Sequence, residues 1–357
     1  MQYLRLLLLP FSLLYGLGVI LRNRAYDKGI FHSRQFDIPV ISIGNLAVGG
    51  AGKSPMTEFI VRLLKDTRRL AVLSRGYGRK TRGFRMVSPS DTAGEAGDEP
   101  LQFRNKFPDV TVAVSEKRAE GIERLIDDHE VIVLDDAFQH RAVAAGLSFL
   151  LFDYTTIDQW PLLLPAGNLR EPFSSRCRAD VLVVTKTPKL LTEDHRKKLL
   201  SRLRPFPHQK VFFSYLEYGV LKSLWGGAHD IPLSELPAMA MVFLLTGIAN
   251  PSPLVTKLQE QTENIRHYNY PDHHPYSRKN IAKLANDFRE AHVPEKLIIT
   301  TEKDAQRLRS PELREFLADL PVYFLPVQAR FHEADEKKVE NIITDYVSKH
   351  LQYRRIH

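Results

Sequence analysis

Residues 38–64 set the strongest limit on the fold. The run "IPVISIGN" (Ile38–Asn45) is apolar enough for a strand buried on both faces. The turn "LAVGGAGKS" follows, and then Met56, Phe59, Ile60, Leu63 and Leu64 recur at helical spacing. A helix N-terminus presents unpaired backbone N–H groups and the positive end of the helix dipole. Glycines let that backbone approach an anion with no Cβ in the way. The turn nearly matches the phosphate-loop pattern G-x-x-x-x-G-K-[ST], with Gly52, Lys53 and Ser54 in place and Ala47 at its first position. Gly49 and Gly50 are expected to supply the bend that Ala47 cannot.

Further strand-like runs, "RLAVLSRG", "VTVAVS", "VIVLDD", "LSFLLFD" and "ADVLVVTK", alternate with helical stretches, one of them around Lys117–Asp128. This pattern predicts an α/β fold whose mostly parallel sheet is covered by helices on both faces. Composition shifts near "SRLRPFPHQK". A second, smaller α/β unit is expected from "AMVFLLTGIANP" onward, with strands at "KLIITTEKDAQRL" and "VYFLPV" and a last helix near Asp335–His350. The tail "QYRRIH" is expected to fray. The expected organisation is an N-terminal helix (1–30), a phosphate-loop domain (31–208), and linker strands plus the second unit (209–357).

The N-terminus is apolar. "LLLLPFSLLYGLGVIL" (Leu6–Leu21) carries no charge, with Arg5 before it and Arg22, Arg24 and Lys28 after. As a helix it spans roughly 24 Å, short of a hydrocarbon core of about 30 Å. A membrane-seated anchor, a spanning helix, a signal peptide and a buried helix all stand open. No small-x-small cleavage site follows, which weighs against a signal peptide.

The chain has 357 residues and a net charge of +8, which suits an anionic partner. No zinc-finger spacing, RNP-like aromatic motif or lysine-rich arm points to nucleic acid. The single Cys177 excludes an internal disulfide.

The loop fixes several roles. Backbone from Ala47, Val48, Gly49, Gly50, Ala51 and Gly52 surrounds a nucleotide phosphate, Lys53 reaches the β- and γ-phosphates, and the Ser54 hydroxyl faces Mg²⁺. Such a loop requires an acid at the end of a later buried strand, and "VIVLDD" supplies Asp135 and Asp136. Which of the two lies nearer the ion stays open.

The strings "GNLAVGGAGKSP", "SRGYGR", "GDEP", "LDDAFQHR", "LLPAGNLREP", "TGIANP", "PDHH" and "TTEKDA" occur in this order. Together they resemble the tetraacyldisaccharide 4′-kinase family over roughly residues 35–305. The resemblance implies a phosphate-loop NTPase fold. It implies transfer of the ATP γ-phosphoryl group, with Mg²⁺, to an acylated glucosamine disaccharide 1-phosphate. It also implies work at the cytoplasmic face of the inner membrane, against a lipid surface. Within it, Asp98 is the expected general base and His273 its partner, His274 being the other choice, with Lys53 and Asp136 completing the catalytic set. Arg75, Tyr77, Glu99, Arg118, Gln139, His140 and Arg170 are expected near substrate or phosphate, and Glu171 near the metal. Glu302, Lys303 and Asp304 receive no catalytic role. The competing reading is a nucleotide-hydrolysing switch or motor with no small-molecule acceptor.

Overall fold

The computed structural model describes residues 5–227 and 229–356. The first four residues of the expected N-terminal segment lie outside them, as do Ala228 and His357. Two sheets build the molecule. Strands β1 (Val40–Asn45), β2 (Leu70–Ser74), β3 (Arg85–Met86), β4 (Thr111–Val114), β5 (Val131–Leu134), β6 (Leu147–Asp153), β7 (Val181–Thr185) and β8 (Lys210–Tyr218) enter the first sheet. Strands β9 (Lys222–Ser223), β10 (Met241–Thr246), β11 (Ile265–Asn269), β12 (Lys296–Thr301) and β13 (Val322–Leu325) form the second, and β14 (Val327–Phe331) returns to the first. Among the described residues the first sheet runs β14-β8-β7-β6-β1-β5-β2-β4-β3 and the second β11-β10-β12-β13-β9. The larger sheet is parallel except at its edges, where β3 runs against β4 and β14 against β8. The α/β class read from the sequence is therefore the observed one.

Every residue of β1, β2 and β5 is buried, as strands covered on both faces require. From β1 the chain lays β2, β4 and β5 to one side, then crosses to β6, β7 and β8 on the other. Ligands in open α/β sheets bind beyond the carboxyl ends of strands at such a reversal. The glycine-rich turn leaves β1 at that point, and the acid pair leaves the adjacent β5. Gly44 makes this adjacency possible. A Cβ there would lie 2.6 Å from Phe138 Cβ and 2.8 Å from Phe138 N, so backbone packs on backbone.

The residues beyond 209 divide between the two sheets. β8 and β14 extend the first sheet. The last helix, α5 (Glu333–Ile356), buries Val339, Ile343 and Val347 in the same core as Ile41, Met56 and Val183. It also runs through the tail expected to fray, as far as Ile356. Two other expectations change. "KLIITTEKDAQRL" is strand only to Thr301. Thr301 Oγ1 accepts from Asp304 N at 3.0 Å and caps α4 (Glu302–Leu308). The helix expected over Lys117–Asp128 covers only Arg118–Glu123.

At the N-terminus, one 3₁₀ turn leads into α1 (Leu9–Asp27). The whole helical segment has 22 residues, or about 33 Å at the α-helical rise, longer than the uncharged run alone suggested. Its packing is inverted relative to a soluble amphipathic helix. Ser12 and Gly16 face the protein, while Leu7, Phe11, Leu13, Leu14 and Leu17 face outward. Arg5 donates to Gly167 O at 2.6 Å, Ser12 Oγ accepts from Ala166 N at 2.9 Å, and Tyr15 OH donates to Arg170 O at 2.9 Å. Near the other end Arg141 donates to Asn23 O at 2.8 Å.

Because Ile343 is wholly buried in the first core, Ile343→Ala is expected to destabilise the protein by about 2–5 kcal/mol. A urea titration checks this, and a loss under about 1 kcal/mol would show that α5 is not part of that core.

Candidate active site

The cavity lies where the carboxyl ends of both sheets face each other. Its volume is about 880 Å³, within the usual range for a ligand site. The turn, α2 (Lys53–Leu64), the loop after β5, and α3 (Asp98–Lys106) line one side. Ala249, Asn250, His273 and Lys303 line the other.

Gly49 and Gly52 take φ of +109° and +78°, conformations that glycine alone adopts without strain. Lys53 Nζ donates to Asn45 Oδ1 at 3.2 Å and lies 3.7 Å from Asp136 Oδ2. Arg170 Nη1 donates to both Asp136 oxygens at 3.2 Å. Ser54 Oγ donates to Glu99 Oε1 at 3.0 Å, joining the turn to α3.

The two acids after β5 differ sharply. Asp135 is buried and accepts from Thr57 Oγ1 at 3.0 Å. Burial pushes its pKa up, and the negative charges of Glu99 and Asp136 add to this. Burial also acts on Asp136, but Lys53 and Arg170 outweigh it and hold that carboxyl below its ordinary value. One acid is thereby kept as a carboxylate while its neighbour is pushed towards its neutral form. Asp135 Oδ2 is buried without a hydrogen-bond partner, an arrangement that a divalent ion would relieve. Among the described residues no three His, Cys, Asp or Glu side chains converge to hold an ion by themselves. The donor set therefore fits Mg²⁺, which is commonly held by one or two carboxylates together with substrate phosphates.

Asp98 and His273 meet across the two sheets. His273 Nδ1 is 3.0 Å from Asp98 Oδ2, and His273 Nε2 is 3.1 Å from Lys303 Nζ. An ammonium only donates, so Nε2 accepts from Lys303 and Nδ1–H donates to Asp98. Asp98 Oδ2 also accepts from Arg307 Nε at 3.1 Å and from Arg307 Nη2, while Oδ1 accepts from Glu99 N at 3.0 Å. Burial raises the Asp98 pKa, but the His273 hydrogen bond and the charges of Lys303 and Arg307 prevail and hold it well below the carboxylate range. His273 has a φ of +57°, uncommon for a residue with a Cβ, and its ring lies 4.9 Å from that of Tyr77. His273 lines the cavity; Asp98 lies behind it. His274 instead stacks on Tyr270 at 4.6 Å.

Arg75, Tyr77, Glu99, Arg118, Gln139, His140 and Arg170 also line the cavity. Arg118 is held by Ser115 O at 2.6 Å, and burial lowers its pKa to about 10. Its backbone N–H donates to His140 Nε2 at 3.3 Å. Burial and the charges of Arg118, Arg22 and Arg75 push the His140 pKa down to about 4. Glu171 lies away from the cavity wall, buried under α1 and paired with Arg178.

Sequence reasoning missed Asn45, Lys303 and Arg307, as well as Arg22, which also lines the cavity. Lys303 and Arg307 sit four residues apart on α4, so one helical face carries both to Asp98 and His273. That spacing is visible in "TTEKDAQRL". Leu216, Tyr218, Leu254, Leu325 and Val327 also line the cavity, an apolar set that no motif had marked.

The model of a family described as LpxK, tetraacyldisaccharide-1-P 4′-kinase, matches residues 4–348. A tetraacyldisaccharide 4′-kinase of Phocaeicola vulgatus is 41% identical over 347 residues, covering 96% of this chain and 95% of the relative. One from Flavobacterium johnsoniae is 40% identical, covering 99% and 100%. Among solved structures, LpxK from Aquifex aeolicus in complex with ATP is similar with a TM-score of 0.73 and 30% identity. That likeness covers 96% of this chain and 99% of the other.

His140 generates a pH prediction. Its pKa is about 4 folded and returns towards its ordinary 6.5 on unfolding, so the unfolded chain takes up the proton first. Its contribution to stability is complete above about pH 6.5 and is lost as pH falls towards about 4. Urea midpoints across this window are expected to fall less in His140→Gln than in the parent; equal falls would contradict the assignment.

Proposed function

The chain belongs to the tetraacyldisaccharide-1-P 4′-kinase family, and from that premise we propose how its residues perform the transfer. The reaction moves the ATP γ-phosphoryl group to the 4′-hydroxyl of an acylated disaccharide 1-phosphate. A switch or motor without an acceptor is not favoured, because relatives matched along almost their whole length are named as acceptor kinases.

In this reading the turn Val48–Ser54 holds the triphosphate, with backbone N–H groups and Lys53 on its outer phosphates. The apolar wall of Leu216, Tyr218, Leu254, Leu325 and Val327 receives the base. Ser54, Asp135 and Asp136 would hold Mg²⁺, which would neutralise charge on the phosphates. Arg170 and Arg118 stabilise the negative charge that spreads over the transferring group.

The acceptor hydroxyl loses its proton to the Asp98–His273 pair. The sequence reading made Asp98 the base. Its burial, its several donors and its lowered pKa favour His273 as the group that meets the hydroxyl. Lys303 must then release Nε2, and Asp98 stabilises the imidazolium that forms. The contact between Asp98 and His273 is the observation that carries this reading. Asp98→Ala and His273→Ala are each expected to lower kcat about 10²–10³-fold with KM for ATP unchanged. The double variant is expected to lose little more than either single one, because the pair acts as a unit. Fully additive losses, or a normal rate in either variant, would remove the pair from proton transfer.

The helix α1 is read as lying on a bilayer. Hydrogen bonds from the N-terminal segment to the domain extend from Arg5, just before the helix, to Asn23, so the helix rests along protein while leucines face outward. Arg22, Arg24 and Lys28 suit the anionic cytoplasmic leaflet, where ATP is supplied. Leu13→Gln with Leu14→Gln is expected to lower flotation with anionic vesicles several-fold while leaving the urea midpoint unchanged. Undiminished flotation would exclude α1 as the anchor.

A further inference from the structure

The motif "TTEKDA" gave Lys303 no role, and the proton transfer above asks only that it let go of His273. Lys303 enters on the first turn of α4 and lines the cavity, with 18% of its side chain exposed. Its Nζ donates to His273 Nε2 at 3.1 Å and to Glu99 Oε1 at 3.2 Å. That same carboxylate oxygen accepts from Ser54 Oγ at 3.0 Å. One ammonium thus stands between the imidazole that meets the acceptor and the start of the phosphate-binding helix. Burial alone would lower its pKa, but the charges of Glu99, Asp98 and Asp272 outweigh burial and raise it above its ordinary value. The group stays an ammonium, a donor with no lone pair to offer.

A lone pair engaged by an ammonium takes a proton from nothing else. While Lys303 holds Nε2, neither a sugar hydroxyl nor a water is deprotonated there. Asp98 offers no substitute, since it is buried and already accepts from His273, Arg307 and Glu99 N. An acceptor hydroxyl seated at Nε2 displaces the ammonium. A lysine stem turns about several bonds, and its three N–H groups point in different directions. Glu99 Oε1 keeps the freed end tethered on the side of the glycine-rich turn. The ammonium that leaves the imidazole is thereby carried towards the outer phosphates, which Lys53 approaches from the opposite side of the cavity.

We propose that Lys303 is a catalytic residue with two successive contacts: it masks His273 Nε2 until the acceptor arrives, then donates to the γ-phosphoryl oxygens during transfer. The assignment rests on the kinase reading above and on His273 taking the proton. In the transfer the acceptor O–H proton goes to Nε2, and that oxygen forms a bond to the γ-phosphorus. The bond from the γ-phosphorus to the β–γ bridging oxygen breaks, leaving ADP. Lys303 keeps all its protons and adds positive charge from the second sheet where negative charge spreads. Its masking contact also suppresses transfer to water, the side reaction that an open base beside ATP permits.

The test uses the full-length protein in neutral mixed micelles with ATP and Mg²⁺. Two rates are compared: phosphoryl transfer to the tetraacyl disaccharide 1-phosphate, and ADP release with no acceptor present. Lys303→Met keeps the bulk of the side chain and removes both contacts. It is expected to lower kcat for transfer about 10²–10³-fold, the usual loss for one well-placed donor, with KM for either substrate near the parent value. ADP release without acceptor is expected to rise severalfold, because water then meets an open Nε2. Lys303→Gln, a second neutral side chain, is expected to show the same split, so the outcome does not hang on one variant folding. Lys303→Arg, which keeps the charge, is expected to recover part of the transfer. Both rates falling together in the neutral variants would reduce Lys303 to a structural pin between the sheets and overturn the proposal, as would unchanged rates. A raised KM for ATP with kcat intact would assign it to nucleotide binding and overturn it too. Absence of transfer by the parent would defeat the kinase reading, and a normal rate in His273→Ala the proton assignment; both are separate results.

Discussion

Asp98 opens α3 with its charge withdrawn from water, and the groups that make this tolerable come from the other sheet. A carboxylate buried without partners costs several kcal/mol. Here His273 and Arg307 supply donors, and Arg307 is itself held by Gly247 O at 3.0 Å and Asp304 Oδ1 at 2.7 Å. Asp304 is fixed in turn by Tyr276 OH at 2.9 Å and Thr301 Oγ1 at 2.7 Å. The second sheet therefore presents a pre-ordered socket for one acid of the first. A second link runs alongside it. Lys106 Nζ lies 2.8 Å from both Glu58 on α2 and Glu302 on α4. Through Glu58 this link reaches the helix that begins with the phosphate-binding lysine.

The same logic of unequal environments organises the nucleotide end. Asp135 and Asp136 are adjacent in sequence, yet one is pushed towards its neutral form and the other held ionised. The difference comes from partners. Asp136 has φ of +46°, and it meets Lys53 and Arg170. Asp135 follows β5 into the core, where among the described residues its carboxylate accepts a hydrogen bond from Thr57 alone. Neighbouring acids whose pKa values diverge are suited to different tasks.

Much of this was legible in the chain because local rules write it directly. The central strand, the glycine-rich turn and the amphipathic α2 follow from apolar runs, small residues and helical spacing over residues 38–64. Asp135 and Asp136 follow from the same reasoning. The fate of β8, β14 and α5 was not legible, because an apolar strand does not specify which sheet it joins. Only the pairing of Tyr215 with Arg330 and its neighbours settles that register. The role of Arg307 was not legible for a related reason: its spacing from Lys303 can be read, but an arginine in a helix reads as a surface charge until the acid from residue 98 arrives. Arg22 was read as a flank of an apolar helix because sequence carries no information about the face to which a long side chain returns.

Gly44 and Phe138 leave no clearance between the end of β1 and the loop that carries the acids. Close-packed backbone does not part by small steps, so the nucleotide cradle and its acidic wall travel as one rigid jaw. The opposite jaw is held by side-chain contacts such as Lys303 on Glu99, at 3.2 Å, which can be broken one at a time. Any gape that admits a bulky lipid therefore falls to the second sheet, with the phosphate grip left undisturbed.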